Sequence, residues 1–158
     1  MGCRTASEED EMGGIVCAIR GGPDSQGTIA TAIALAQRTH LSLHFLYVVN
    51  LDFLAYTSSS RVHTIRKEMR QMGEFILLTA QATASAQGIK AEGLVRDGDV
   101  GEEIIRLCHE LAANYLVLGW PQVHQEESLF THELLEQFVR RTEEQTGAKV
   151  VLPESEDG

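Results

Sequence analysis

The chain has 158 residues, 43% of them apolar and 23% charged, the balance of an ordinary globular protein with room for one core. Thirteen Lys and Arg against 23 Asp and Glu leave a net charge of −10, which repels polyanions and argues against DNA or RNA as a main partner. The longest apolar runs fall short of the roughly 18 residues that would span a bilayer, so no membrane span is expected.

The first stretch, MGCRTASEEDEM, is acidic. Gly2 and Cys3 resemble an acylation signal, but Ala6 stands where Ser or Thr is required, and a basic then apolar secretory pattern is missing. The reading is an acidic tail over residues 1–12, a single domain over 13–152, and a second acidic tail, PESEDG, over 153–158. Three cysteines, Cys3, Cys17 and Cys108, form no CxxC pair and leave an odd count, as suits a reducing cytoplasm.

GIVCAI, residues 14–19, is a continuous apolar run, the pattern of a strand covered on both faces. After it comes RGGPDS. Asp24 or Ser25 caps a helix that carries Ile29, Ile33 and Ala36 on one stripe to about Thr39. LSLHFLYVV, residues 41–49, predicts a second strand. Residues 50–60, NLDFLAYTSSS, hold no period and are read as a long mobile loop. A long helix is predicted over 62–87, its core stripe carried by Ile65, Met69, Met72, Ile76 and Ala80, with Gly88 as its stop.

Residues 89–98, IKAEGLVRDG, predict a third strand and turn, and Asp99 caps a helix with Ile104, Cys108 and Leu111 inward. NYLVLG, residues 114–119, is the fourth strand. A last helix is predicted from near Ser128, anchored by Leu134, Leu135 and Phe138 and ended by Gly147, and AKVVLP is the fifth strand. Strand and helix alternate throughout, which predicts an α/β fold: a three-layer αβα sandwich around a five-stranded parallel sheet, Rossmann-like, with right-handed crossovers. Ligands collect outside the carboxyl ends of such strands, where the strand order reverses. The loops after Ile19 and Gly119 are therefore the places where a site is expected.

TAIALAQRTHLSLHFLYVV and VRDGDVGEEIIRLCHELAANYLVLG resemble the universal stress protein family, the second through a strand, Gly-Asp, a helix opening with Glu-Ile, and an apolar strand ending in Gly. The resemblance covers residues 14–152. It implies strand order 3-2-1-4-5, an adenine nucleotide alpha hydrolase-like arrangement, and a homodimer paired through the fifth strand, here Lys149, Val150, Val151 and Leu152.

Many members of the family bind ATP through an Asp ending the first strand, a G-x2-G-x9-G-[ST] loop after the fourth, and backbone contacts near the end of the second. Aligned without gaps, Arg20 falls where the Asp would be, and Gly119 falls on the first glycine. Gln122, His132 and Glu133 fall on the second glycine, the third glycine and the hydroxyl residue, while Val48 and Leu118 keep wall positions. Phosphate loops use glycine so that bare N–H groups can approach the oxygens, and Gln122 and His132 have side chains in the way. A Glu133 carboxylate about 5 Å from a phosphate would cost roughly 3 kcal/mol at an effective dielectric of about 20, on the order of a hundredfold in affinity. The resemblance with these replacements implies a branch of the family that does not hold ATP in the usual way, a stress-response binding or interaction module rather than an enzyme.

Two alternatives stand beside it. Glu126, Glu127 and Glu133 could ligate Mg²⁺ or Mn²⁺ and rescue a nucleotide, against the plainer reading of Glu133 as an acid in a helix's first turn. GGPDS, with Gly21, Gly22, Asp24 and Ser25, resembles the pyrophosphate loop of ATP pyrophosphatases with Arg20 replacing the leading Ser. It could cradle an anion as a nest of N–H donors, or simply turn a strand into a capped helix. The histidines offer no zinc pair, since His40 and His44 straddle a turn and a strand.

Overall fold

The computed structural model describes residues 13–20, 25–50, 59–119 and 132–153. Strands β1 (Ile15–Ala18), β2 (Leu43–Val49), β3 (Ala91–Asp97), β4 (Tyr115–Val117) and β5 (Lys149–Val151) alternate with helices α1 (Ser25–Thr39), α2 (Ser59–Ala86), α3 (Val100–Leu111) and α4 (His132–Thr146). All four strand pairings are parallel, and the order is β3-β2-β1-β4-β5. The sheet thus runs to one side from β1 to β2 and β3, then resumes on the other side with β4 and β5, placing the reversal between β1 and β4.

Alternate residues of each strand face opposite layers. Ile15, Cys17 and Ile19 of β1, Phe45 and Tyr47 of β2 and Val117 of β4 pack under α1 and α2. Val16, Leu46 and Leu116 pack against Ile104, Leu107 and Cys108 of α3 and Leu135 and Phe138 of α4. Both faces are covered, which is why β1 reads as an unbroken apolar run. Asp99 caps α3 as expected, its Oδ2 accepting from the Glu102 N–H at 3.0 Å. Gly88 and Gly147 stand at the ends of α2 and α4 with φ of 84° and 79°.

Several expectations need correction. Ser59 and Ser60, read as loop, already belong to α2, whose Thr64 hydroxyl donates to the Ser60 carbonyl at 3.2 Å, while residues 51–58 lie outside the described residues. Met72, placed on the core stripe of α2, is 57% exposed. Met69, Ile76 and Ala80 of the expected stripe do pack on the core, and Gly73, Leu77 and Ala84 complete the inward face, the Tyr47 ring filling the space beside Gly73. A Cβ at Gly73 would overlap Tyr47 Cδ2 and stand 2.8 Å from Cε2, so glycine lets helix and strand close together there.

Helix α4 is described over His132–Thr146, and its expected start near Ser128 lies, with all of residues 120–131, outside the described residues. Leu134 is 41% exposed because the inward stripe runs through Leu135, Phe138 and Thr142. Thr142 is buried without cost, its hydroxyl donating to the Phe138 carbonyl at 2.8 Å. Residues 1–12 and 154–158, the acidic tails of the sequence reading, lie outside the described residues.

Candidate functional site

Backbone pairing carries three strands slightly past their formal ends. The Ile19 N–H donates to the Leu46 carbonyl at 2.9 Å, the Leu118 N–H to Val151 at 3.1 Å, and the Gly98 N–H to Val49 at 2.9 Å. These bonds fix Arg20, Gly119 and the Gly98-Asp99 turn at one level, along the carboxyl edge of the sheet. A cleft of about 440 Å³ opens there, at the place where parallel α/β sheets bind ligands and within the 300–1,000 Å³ usual for such sites.

Four sequence-predicted residues, Arg20, Val48, Leu118 and Gly119, line this cleft together. Ser25 does not join them: it begins α1 and lines a separate groove of about 430 Å³ between α1 and α2. Gly21, Gly22 and Asp24, like Gln122, Glu126 and Glu127, lie outside the described residues. His132 opens α4 and Glu133 is exposed in its first turn, on the same helix that sends Leu135 and Phe138 into the cleft. Lys149, Val150 and Val151 form β5 at the edge of the sheet, with Leu152 half-buried just beyond it.

Gly119 has a packing reason to be glycine that owes nothing to phosphate. A Cβ there would come within 2.7 Å of the buried Thr28 hydroxyl on α1, so strand end and helix meet only because the side chain is absent. The surviving glycine is therefore weak support for a nucleotide loop.

The sequence reading did not single out Tyr47, Met69, Val100, Gly101, Ile104, Leu135 or Phe138 as cleft residues. Tyr47, Ile104, Leu135 and Phe138 are core residues as well, and Met69 and Val100 pack against the core. The signal that could have found them is topological: the first turn of a helix entered from the end of a parallel strand overhangs that end. Val100, Gly101, Ile104 and Leu135 all lie near the starts of α3 and α4.

The walls are apolar. Among the described lining residues Arg20 carries the one formal charge, and there is no carboxylate. Arg20 is exposed and forms no ion pair with a described residue. Other arginines toward this end of the sheet are engaged: Arg70 meets Asp97 at 2.6 Å and Arg66 the same carboxylate at 3.5 Å. Arg96 reaches Glu110 at 2.7 Å and Glu103 at 3.7 Å, and Arg106 reaches Glu103 at 2.5 Å. The Arg96 hydrogen bond holds the Glu110 carboxyl below its ordinary range.

Nothing in the described part offers an activated nucleophile among the cysteines. Cys17 and Cys108 are buried, and burial pushes both thiols up, Cys108 to about 12. No group of three His, Cys, Asp or Glu side chains among the described residues could hold a metal ion. His44, half-buried on β2, has its imidazole lowered by burial against a smaller opposing pull from Glu92. No helix among the described residues is long and apolar enough to cross a membrane.

A parallel sheet of order 3-2-1-4-5 with a cleft at its reversal point defines the broad class of Rossmann-like α/β binding proteins. The model of the universal stress protein family matches residues 12–145, and the chain belongs to that family. It is similar in fold to a universal stress family protein from Burkholderia pseudomallei, with 23% identity and a TM-score of 0.62 over 92% of this chain and 98% of that one. It is similar also to UspA from Lactobacillus plantarum, with 14% identity and a TM-score of 0.72 over 91% and 99% of the two chains. A universal stress protein crystallised in complex with cAMP matches at 17% identity and a TM-score of 0.64 over 91% and 98%. Compared with curated protein sequences, the chain matches none.

Proposed function

We propose that this stress protein is a cytoplasmic binding module that does not hold ATP in its family's usual way. The observation that carries this reading is the cleft itself: apolar walls with Arg20 at the strand end, where the family resemblance puts an aspartate. Arg20 cannot accept hydrogen bonds as that aspartate does. Glu133, exposed in the first turn of α4, brings negative charge to a helix start that would otherwise attract phosphate. The sequence positions of Gln122 and His132 add bulk where the loop would need glycine. Two buried free thiols suit a reducing compartment.

The test is a thermal melt with ATP, AMP and cAMP, each with and without Mg²⁺. A family member saturated a thousandfold above its Kd would gain about 4 kcal/mol, or roughly 8–16 °C for a chain of this size. The expected result here is a shift of less than about 1 °C with millimolar ATP. A shift of several degrees would overturn the reading. It would favour instead a nucleotide site that uses Arg20 for phosphate and the main chain of Val48 and Leu118 for the base, since those residues share the cleft with Gly119.

The same reading makes the protein a homodimer through β5. That strand pairs on one side with β4 and ends the sheet, and its short apolar sequence gives a second copy a row of backbone groups to join. Sedimentation of the 17.4 kDa chain at micromolar concentration is expected to give twice that mass. A monomer would remove this part of the reading.

A further inference from the structure

We infer that the cleft binds an amphipathic monocarboxylate, with Arg20 holding the carboxylate and the apolar walls holding the hydrocarbon body. The inference rests on the reading that the site has given up ATP, and it names the chemistry that replaces it.

Three observations converge. The body of the cleft is built from Leu46, Val48, Ile104, Leu118, Leu135 and Phe138, whose side chains carry no hydrogen-bonding group and favour hydrocarbon, with Asn50 and Tyr47 as the uncharged polar members of the lining. Its single formal charge among the described residues is a guanidinium, whose planar fork matches a carboxylate through two parallel hydrogen bonds. That guanidinium is not spent on a described neighbour, whereas Arg66, Arg70, Arg96 and Arg106 are each paired with acids.

Charge balance narrows the class further. One guanidinium neutralises one negative charge, and Arg20 is the one cation of the described lining; the next, Arg141, lies outside it over the Phe138 ring at 5.6 Å. The chain's net charge of −10 and the exposed Glu133 carboxylate disfavour a doubly charged head group. An alcohol or ester of the same hydrocarbon would fill the walls but leave Arg20 without its partner. A volume of about 440 Å³ admits a medium-length chain or a small ring system.

The experiment is calorimetric titration of the full chain with decanoate, decan-1-ol and ATP, repeated on Arg20→Gln. Arg20 is exposed, so the variant should melt with the wild type and report binding rather than folding. Decanoate is expected to bind the wild type at least about tenfold more tightly than decan-1-ol, and Arg20→Gln is expected to erase that difference. Decanoate bound equally by wild type and variant, or bound no better than the alcohol, would overturn the inference. With no heat from decanoate and none from ATP, the inference fails alone and the loss of ATP binding still stands. Heat from ATP would overturn the reading beneath it.

Discussion

Phe45→Ala is expected to lower the stability of the fold by about 3–5 kcal/mol, a large share of the roughly 5–15 kcal/mol that holds a domain of this kind together. Phe45 lies in the middle of β2 and is completely buried under α1 and α2. Its partners across the sheet are small, Cys17 on β1 and Gly93 on β3, and the helix residues above include Ala80 and Ala84. One large ring therefore fills a space that its neighbours leave, and none of those neighbours has the volume to collapse into the hole. Gly93 cannot close it either, since α2 already meets that strand so tightly that a Cβ would lie 2.8 Å from the Gln81 side chain and 3.2 Å from Leu77 Cβ. At about 2–4 °C per kcal/mol for a chain of this length, Tm should fall by roughly 6–20 °C in a calorimetric scan. Phe45→Leu, which keeps much of the volume, should cost distinctly less. Loss of only a few degrees in the alanine variant would mean that the helix layer settles onto the sheet, contrary to the packing described.

The parallel sheet and its two helical layers were legible in the sequence because alternation of runs and stripes admits few topologies, while the strand order came with the family resemblance that the Gly-Asp and Glu-Ile positions carried. Helix rotation was less legible. Met72 and Leu134 have the spacing of core residues, yet both are exposed, because a stripe of apolar letters fixes a face only to within about one residue's 100° turn. The face of α2 turned to the sheet carries a contact between distant parts of the chain that the stripe does not show, Tyr47 on Gly73. The site divides in the same way. Arg20, Val48, Leu118 and Gly119 came from alignment to strand ends, whereas Tyr47, Ile104 and Phe138 are hidden in sequence because one side chain can be core below and cleft wall above. Ser25 reads as part of an anion loop in one dimension and lines a groove between two helices in three.

Gly73→Ala should destabilise the protein although it replaces glycine by the best helix former in the interior of a 28-residue helix. Propensity alone would stabilise α2 by about 1 kcal/mol. Against it stands the added methyl group, which would overlap Tyr47 Cδ2 and lie 2.8 Å from Cε2, with the ring itself only 9% exposed. Overpacking of this kind costs about 1–3 kcal/mol, so the net change should be a loss, read as a fall of a few degrees in Tm. In a Tyr47→Ala background the methyl group meets empty space, and Gly73→Ala should then restore stability by up to about 1 kcal/mol. That reversal of sign separates a ring clash from any general intolerance of the helix to alanine; a destabilising effect of the same size in both backgrounds would show that the contact is not what excludes a side chain. The consequence reaches the site, because Tyr47 and Met69 also line the cleft. A ring displaced by the new methyl group is expected to disturb the wall to which Tyr47 contributes. Gly73→Ala should therefore weaken decanoate binding without touching Arg20, so that decanoate and decan-1-ol lose affinity together and keep their ratio. Loss of decanoate affinity alone would place the damage at the charged end of the cleft rather than at its wall.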